Sequence, residues 1–312
     1  MPTTRLAPSP TGALHLGNAR TFLLNWLLAR QHNWKIILRI EDLDGPRIKT
    51  GADQQAIEDL KWLGLDWDEG PIYQSSRIEK YAAAISQLIK NNFAYPCICS
   101  RSEVAQAASA PHAEDSISIY PGTCRGKFKS LEEAQKSSGR PPALRFAVPD
   151  RIIQFTDHFA GPQQFDVATQ LGDFVIAKND GTPAYQLAVV VDDADMQVTD
   201  IVRGDDLLDS TPRQILLYEA LGLKNKIPNY YHLPLIKGPD GRRLAKRHGD
   251  TRLSYYRNLG VPASRVLSLL ARWSGIPESD NIQQLINIFD LSKVPRQSIT
   301  FTPADDAFLK RK

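Results

Sequence analysis

No apolar run in this sequence approaches the roughly 20 residues that cross a bilayer, so no membrane-spanning segment is predicted. The N-terminus passes straight into Thr3-Thr4-Arg5 without the apolar core of a secretory signal. Cysteine is scarce, with three residues at positions 97, 99 and 124. An odd number makes a poor disulfide framework and suits a reducing compartment, so a cytoplasmic protein is expected. Charge of either sign is not in large excess: a net +3 neither requires nor excludes a nucleic-acid partner. The glycines of residues 5–20 form neither G-x-G-x-x-G nor G-x-x-x-x-G-K-[ST], which removes the dinucleotide and P-loop readings of that stretch.

With 312 residues, 42% of them apolar, the chain has material for a full core and for two or three domains. Its basic residues cluster late, at Arg242-Arg243, Lys246-Arg247 and Lys310-Arg311-Lys312. Such patches hold a polyanion in a salt-sensitive way, and equally serve as solvated surface.

Residues 5–20, RLAPSPTGALHLGNAR, read as a strand, a Pro/Ser/Gly turn and a helix whose first turn carries His15, Leu16, Gly17 and Asn18. Free backbone N–H groups and the helix dipole facing such a turn make an anion site. His15 adds a donor for a phosphate, and Gly17 leaves room for a flat base. The helix continues to residue 31 with Leu23, Leu24, Leu27 and Leu28 as its apolar stripe, and Trp34 to Ile40 read as a buried strand. Residues 5–40 are therefore predicted to be β–α–β, the start of an open doubly wound α/β sheet. Ligands of such sheets bind at the carboxyl ends of strands, which places Glu41 on the same edge as the turn.

Amphipathic helices are predicted over 53–63 and 77–91, the second burying Ile78, Tyr81, Ile85 and Leu88. Short strands are expected within 141–148 and 166–178. The apolar run after Tyr185, through Val189-Val190-Val191, reads as a central strand by its β-branching. A helix follows over 214–221, and residues from 253 onward are helical. Residues 105–118 are polar and aperiodic, an insertion loop flanked by Cys97-Ile98-Cys99 and Cys124. That C-x-C plus a later Cys implies one tetrahedral zinc site with three thiolates. His112 and Tyr120 are the two candidates for the fourth ligand.

The turn with His15-Leu16-Gly17-Asn18 resembles the HIGH signature of class I aminoacyl-tRNA synthetases, and R-x-A-P-S-P-T-G narrows the resemblance to the glutamyl branch. The segment LRIEDLDGPR is similar to the IED-x-D-x-x-R segment of that family, and its Gly45-Pro46-Arg47 ending is most like the shortened relatives called glutamyl-Q tRNA(Asp) synthetases. Y-P-G-T-C-R around Tyr120 resembles the same relatives, as does Val189, where glutamyl-tRNA synthetases often have Asn. Residues 243–247, Arg-Leu-Ala-Lys-Arg, resemble the KMSKS loop, with Arg for its first Lys and Ala245 for its Ser.

The resemblance implies a class I Rossmann catalytic domain in two halves, 1–95 and 183–239. It also implies an inserted acceptor-binding zinc subdomain over 96–182, and a KMSKS-like loop with a helical stem-contact-like region over 240–312. The chain stops at Lys312, so no anticodon-binding domain is expected. By the same resemblance, His15 and Lys246 are catalytic, and His15, Gly17, Asn18 and Lys246 bind ATP. Arg5, Ala7, Ser9, Glu41, Tyr185 and Arg203 bind glutamate. Tyr120 joins Cys97, Cys99 and Cys124 on one structural Zn²⁺, and Mg²⁺ accompanies ATP. The implied reaction is ATP-dependent activation of L-glutamate and its transfer to queuosine in the anticodon stem-loop of tRNA(Asp), by a monomer. The competing readings are a truncated glutamyl-tRNA synthetase charging a tRNA 3′ end, and a non-catalytic RNA-binding paralogue.

Overall fold

The computed structural model describes residues 1–312 apart from 101, 105–118, 243, 245–248, 280 and 312. The expectations for His112 and Lys246 lie outside the described residues.

Strand β1 (Thr3–Leu6), helix α1 (Leu16–Gln31) and strand β2 (Lys35–Ile40) form the anticipated β–α–β unit, with β1 and β2 parallel. Helix α2 (Ala52–Trp62) then leads to β3 (Glu69–Tyr73), which joins the other edge of β2. β2 is an apolar run because both its faces are covered: Ile36, Ile37, Leu38 and Ile40 are all buried. α1 carries more than the leucine stripe. Ala19, Trp26 and Ala29 are buried as well, and it packs against both sheet and C-terminal helices. A helix covered on most sides is a core element, which is why its sequence lacks a polar face.

Helix α3 (Ile78–Lys90) buries Tyr81, Ala84 and Leu88, while Ile78, expected on that face, lies exposed. Strand β4 (Ala94–Cys97), helix α4 (Leu131–Ser138) and strand β5 (Ala143–Phe146) follow, with β5 central in one sheet between β4 and a later strand, Phe174–Ala177. A hairpin that the sequence did not reveal, β6 (Ile152–Asp157) and β7 (Gly161–Asp166), comes next. Of residues 166–178, only β8 (Phe174–Ala177) is a strand after β7 ends. Between them a helical turn, α5 (Val167–Gln170), is capped by the Asp166 carboxylate on the Thr169 amide.

The run after Tyr185 is a helix, α6 (Tyr185–Asp195), not the expected central strand. A short apolar run is ambiguous between buried strand and buried helix, and tertiary burial of Leu187, Ala188, Val189 and Val190 overrides the β-branched preference. The strand is β9 (Asp200–Gly204), followed by helix α7 (Ser210–Ala220) and strand β10 (Asn229–Leu233). β9 and β10 pair in parallel, and β10 also takes β6 beside it, giving the order β7-β6-β10-β9. The hairpin inside residues 96–182 thus extends the second sheet.

A short strand, β11 (Ile236–Lys237), pairs with β12 (Ile299–Thr300). Helices α8 (Leu253–Asn258), α9 (Ala263–Trp273), α10 (Ile282–Ile288) and α11 (Pro303–Lys310) complete the chain as expected from its apolar spacing. The basic loop is anchored at both ends beside α1: the Leu244 amide donates to Ile236 (3.0 Å), and the Leu16 amide donates to Thr251 (3.0 Å). No helix among the described residues is long and apolar enough to cross a membrane.

One buried carboxylate joins α2 to α8. Asp59 is fully buried, neither oxygen accepts a hydrogen bond, and Arg257 lies 3.5 Å away. Burial, only partly opposed by Arg257, raises its pKa to about 6. Since the folded value lies above the unfolded one, its contribution is favourable below about pH 4 and is lost as pH rises through 6. Asp59→Asn is therefore expected to raise unfolding stability by about 2–3 kcal/mol at pH 7.5 and by little at pH 4. Urea titrations at the two pH values check this; an equal effect at both would refute it.

Candidate active site

The carboxyl ends of β1, β2 and β9 open onto a cavity of about 540 Å³. Arg5, Ala7, Ser9, His15, Gly17, Asn18, Glu41, Tyr185 and Arg203 all line it. Sequence reasoning thus brought together residues up to 198 positions apart (Arg5 and Arg203). The edge rule holds in detail: the Glu41 amide donates to Pro8 (3.0 Å), and the Ser9 hydroxyl donates to the Glu41 carbonyl (3.2 Å).

The helix N-terminus differs from expectation. His15 is the N-cap, and its Nδ1 accepts from the amides of Gly17 (3.1 Å) and Asn18 (3.3 Å). The Leu16 amide is taken by Thr251 and the Ala19 amide by the His15 carbonyl. The first-turn amides are therefore already satisfied and do not form an open anion cradle. What they do instead is fix the imidazole. With Nδ1 accepting, the proton of the neutral ring sits on Nε2. Gly17 keeps this arrangement possible, since a Cβ there would lie 3.0 Å from His15 Cε1.

Behind the cavity lies a charge cluster that the sequence did not announce. Arg39, fully buried, donates to Asp193 Oδ1 (2.6 Å) and Glu41 Oε1 (3.1 Å). Arg5 Nε shares the same Asp193 oxygen at 3.4 Å. Burial raises the Glu41 carboxyl above its ordinary range, with Arg39 and Arg5 drawing it back. Asp192, the neighbouring carboxylate on α6, is held by Gln74, Arg77 and Tyr81. In a helix, successive residues point about 100° apart, so Asp192 turns mainly toward Gln74, Arg77 and Tyr81, while Arg39 Nε, 3.9 Å from its Oδ2, links it to the Asp193 side of the cluster. Val189 is buried in the same helix and is not among the residues lining the cavity.

Arg203 is aimed from β9 by three contacts. Nε donates to His232 Nε2 (2.9 Å), and Nη2 donates to Thr211 Oγ1 (2.9 Å) and, more weakly, to the Leu207 carbonyl (3.4 Å). Nη1 is buried without a hydrogen-bond partner. A buried cationic donor left unpaired is costly unless an anion meets it, so this corner is built for one.

A second cluster lies away from the cavity. The Cys97, Cys99 and Cys124 sulfurs fall within 4.8 Å of one another, with Cys99 and Cys124 at 3.5 Å. Tyr120 Oη sits 3.4 Å from Cys97 Sγ and 3.6 Å from Cys99 Sγ, and accepts from the Cys124 amide at 2.8 Å. Tetrahedral thiolates around zinc stand roughly 3.7 Å apart, so this donor set suits such an ion. Burial pushes the Cys99 thiol up to about 11, whereas at Cys124 the Tyr120 hydrogen bond and neighbouring groups outweigh burial and lower it. Sequence reasoning missed Arg145, whose guanidinium lies 3.7 Å over the Tyr120 ring and whose Nε donates to Cys97 Sγ (3.2 Å).

The family described as tRNA synthetases class I (E and Q), catalytic domain, matches residues 2–303. The chain belongs to that family. It is therefore a class I synthetase-type ligase, with the α/β catalytic domain of that class. Two similar proteins carry the name Glutamyl-Q tRNA(Asp) synthetase. The one from Symbiobacterium thermophilum is 51% identical over 95% of this chain and 94% of its own length. The one from Rhodopirellula baltica is 47% identical over 94% of each. Among solved structures, a glutamate tRNA ligase from Elizabethkingia meningosepticum in complex with its amino acid superposes with a TM-score of 0.81 at 31% identity. The match covers 98% of this synthetase and 68% of that chain.

Proposed function

We propose that this synthetase activates L-glutamate with ATP and transfers it to queuosine at the wobble position of tRNA(Asp). The observation that carries the reading is the identity of about half the residues, end to end, with proteins named for that activity. The cavity supports the glutamate half. Arg5 and Arg203 meet the carboxylate oxygens, Glu41 and Ser9 hold the ammonium, Ala7 lines the same pocket, and Tyr185 donates its hydroxyl. An Arg–carboxylate fork rejects glutamine, whose amide cannot accept two donors as an anion does.

In the first step the glutamate α-carboxylate attacks the α-phosphorus of MgATP, and the bond to the β-phosphate breaks to release pyrophosphate. Little covalent help is needed, so positioning and charge stabilisation dominate. His15 Nε2–H, with Gly17 and Asn18 beside it, holds the phosphates, and Lys246 neutralises the departing pyrophosphate. The anchoring of residues 244 and 251 beside α1 supports that role for the loop between them. In the second step a cyclopentenediol hydroxyl of queuosine attacks the adenylate carbonyl. An ester forms, AMP leaves, and the hydroxyl proton is lost.

The division into Rossmann halves 1–95 and 183–239, an RNA-receiving insert 96–182 and a stem-contact region 240–312 belongs to this reading, as does a monomer acting in the cytoplasm. So does one structural Zn²⁺ on Cys97, Cys99, Cys124 and Tyr120, which would cross-link the insert. Tyr120→Phe is expected to lower zinc content of the purified chain at least fivefold under mild chelation, and His112→Ala to leave it unchanged. Elemental analysis of both decides; the opposite pattern reassigns the ligand to His112.

The function itself is tested by incubating queuosine-containing tRNA with the protein, ATP and glutamate, and then analysing its nucleosides by mass. Glutamyl-queuosine is expected. A glutamate ester at the 3′-terminal adenosine would instead make this an ordinary glutamyl-tRNA synthetase.

A further inference from the structure

Arg203 is an unusual buried cation, because one of its nitrogens donates to a histidine. An arginine Nε carries a hydrogen and no lone pair, so His232 Nε2, 2.9 Å away, must be the acceptor. The imidazole proton then sits on Nδ1, which meets Asp157 Oδ2 at 2.6 Å. Asp157 Oδ1 in turn accepts three backbone amides: Ala160 (2.6 Å), Phe159 (2.9 Å) and His232 itself (3.2 Å). Asp157 and His232 are fully enclosed, with no side-chain exposure. Three elements converge here. Arg203 and His232 are register partners on β9 and β10, and Asp157 ends β6, opposite Tyr230 of β10.

The groups facing the imidazole come from every neighbouring element. They are the Asp157 carboxylate on β6, the Arg203 guanidinium on β9, the Thr211 hydroxyl on α7 (3.4 Å), the Leu207 carbonyl and the Tyr230 ring on its own strand. A proton on Nε2 would set an N–H against the Arg203 Nε–H at 2.9 Å, so the neutral Nδ1–H form is the one that keeps this bond, with the Leu207 carbonyl left to accept from Arg203 Nη2. That form leaves Arg203 with Nε and Nη2 occupied and a single orientation for Nη1, the nitrogen without a hydrogen-bond partner.

We infer that Asp157 and His232 are positioning residues, which set the orientation of Arg203 by presenting its Nε with an unprotonated imidazole nitrogen and so tune carboxylate recognition. The inference rests on the proposed role of Arg203 in holding glutamate. Neither residue touches the cavity, and both act through Arg203. Asp157 belongs to the hairpin that follows the cysteine cluster in the chain, so the residue that orders the amino-acid pocket is supplied by the segment assigned to RNA.

Two measurements on the full chain test this. In ¹⁵N-labelled wild-type protein at pH 7.5, the His232 ring, assigned by its loss in His232→Gln, is expected to show a protonated Nδ1 and a bare Nε2. A protonated Nε2 overturns the inference, and this readout stands whatever the variants do. In glutamate-dependent ATP–pyrophosphate exchange, Asp157→Asn is isosteric, but its amide offers Nδ1 a donor and forces the proton to Nε2. The KM for glutamate is expected to rise at least tenfold, with the KM for ATP within twofold of wild type. A glutamate KM within twofold of wild type, or equal rises in both KM values, overturns it, because a merely structural role would not separate the two substrates. Absence of exchange in the wild type would instead refute the proposed activity, leaving the tautomer to decide the relay.

Discussion

Replacing Arg203 with glutamine is expected to lower kcat/KM for glutamate in pyrophosphate exchange by about 10³-fold, with the KM for ATP nearly unchanged. The size follows from what the substitution removes. Arg203 is buried, two of its nitrogens are spent on His232 and Thr211, and the third has no hydrogen-bond partner. Losing one side of a desolvated charge pair costs about 2–5 kcal/mol, the upper part of which corresponds to that factor. Arg203→Lys is expected to recover little. An ammonium keeps the charge, but its donors radiate from one nitrogen and do not reproduce the planar fork that reaches His232 and Thr211 from separate nitrogens while leaving a third for a carboxylate. Initial rates over a range of glutamate concentrations check both variants, with thermal unfolding as the control for folding. A glutamate KM within threefold of wild type for Arg203→Gln would remove Arg203 from the binding site.

The second large effect is on stability. Arg39→Met should destabilise the fold by about 3–5 kcal/mol, because it strands carboxylates that were desolvated on the assumption of a cation between them. Asp193 suffers most. Its Oδ1 depends on Arg39 at 2.6 Å, with only Arg5 in support at 3.4 Å, and its Oδ2 has no hydrogen-bond partner. Asp192 is buffered by Gln74, Arg77 and Tyr81. Deprived of Arg39, Asp193 would draw Arg5 away from the cavity, so a raised glutamate KM should accompany the loss. Urea unfolding and exchange kinetics on the same preparation test the link. A loss below about 1 kcal/mol would show that the cluster is solvated or rearranges freely.

Both experiments act on residues of differing visibility in the sequence. Arg5, Ser9, His15, Glu41 and Arg203 were legible because they sit in or beside long motifs and because strand ends in an open α/β sheet point their loops to one edge. Cys97, Cys99 and Cys124 were legible from spacing, while the choice between His112 and Tyr120 was not; the structure brings the Tyr120 oxygen to the sulfurs, and His112 lies outside the described residues. The run after Tyr185 was misread, since five apolar residues in a row satisfy a buried helix as well as a buried strand. Asp157 and His232 gave no signal at all, and nothing marked Arg39, inside LRIEDLDGPR, or Asp193 as half of a buried pair. A charged side chain in a sequence looks like surface, and only its neighbours in space turn it into half of a buried pair.

Local chemistry therefore determined the β–α–β start, the turn that carries His15, the edge that carries Glu41 and the three-cysteine cluster, because each depends on residues close in the chain or on a simple periodicity. Tertiary structure decided the rest. It closed the first-turn amides of α1 with His15 and Thr251, replacing an open anion cradle with an oriented imidazole. It set β6 against β10, so that Asp157 reaches Arg203 through His232 across a sheet built from distant segments. Hydrogen-bond direction and desolvation exist only once such groups are enclosed together, which is why no reading along the chain could supply them.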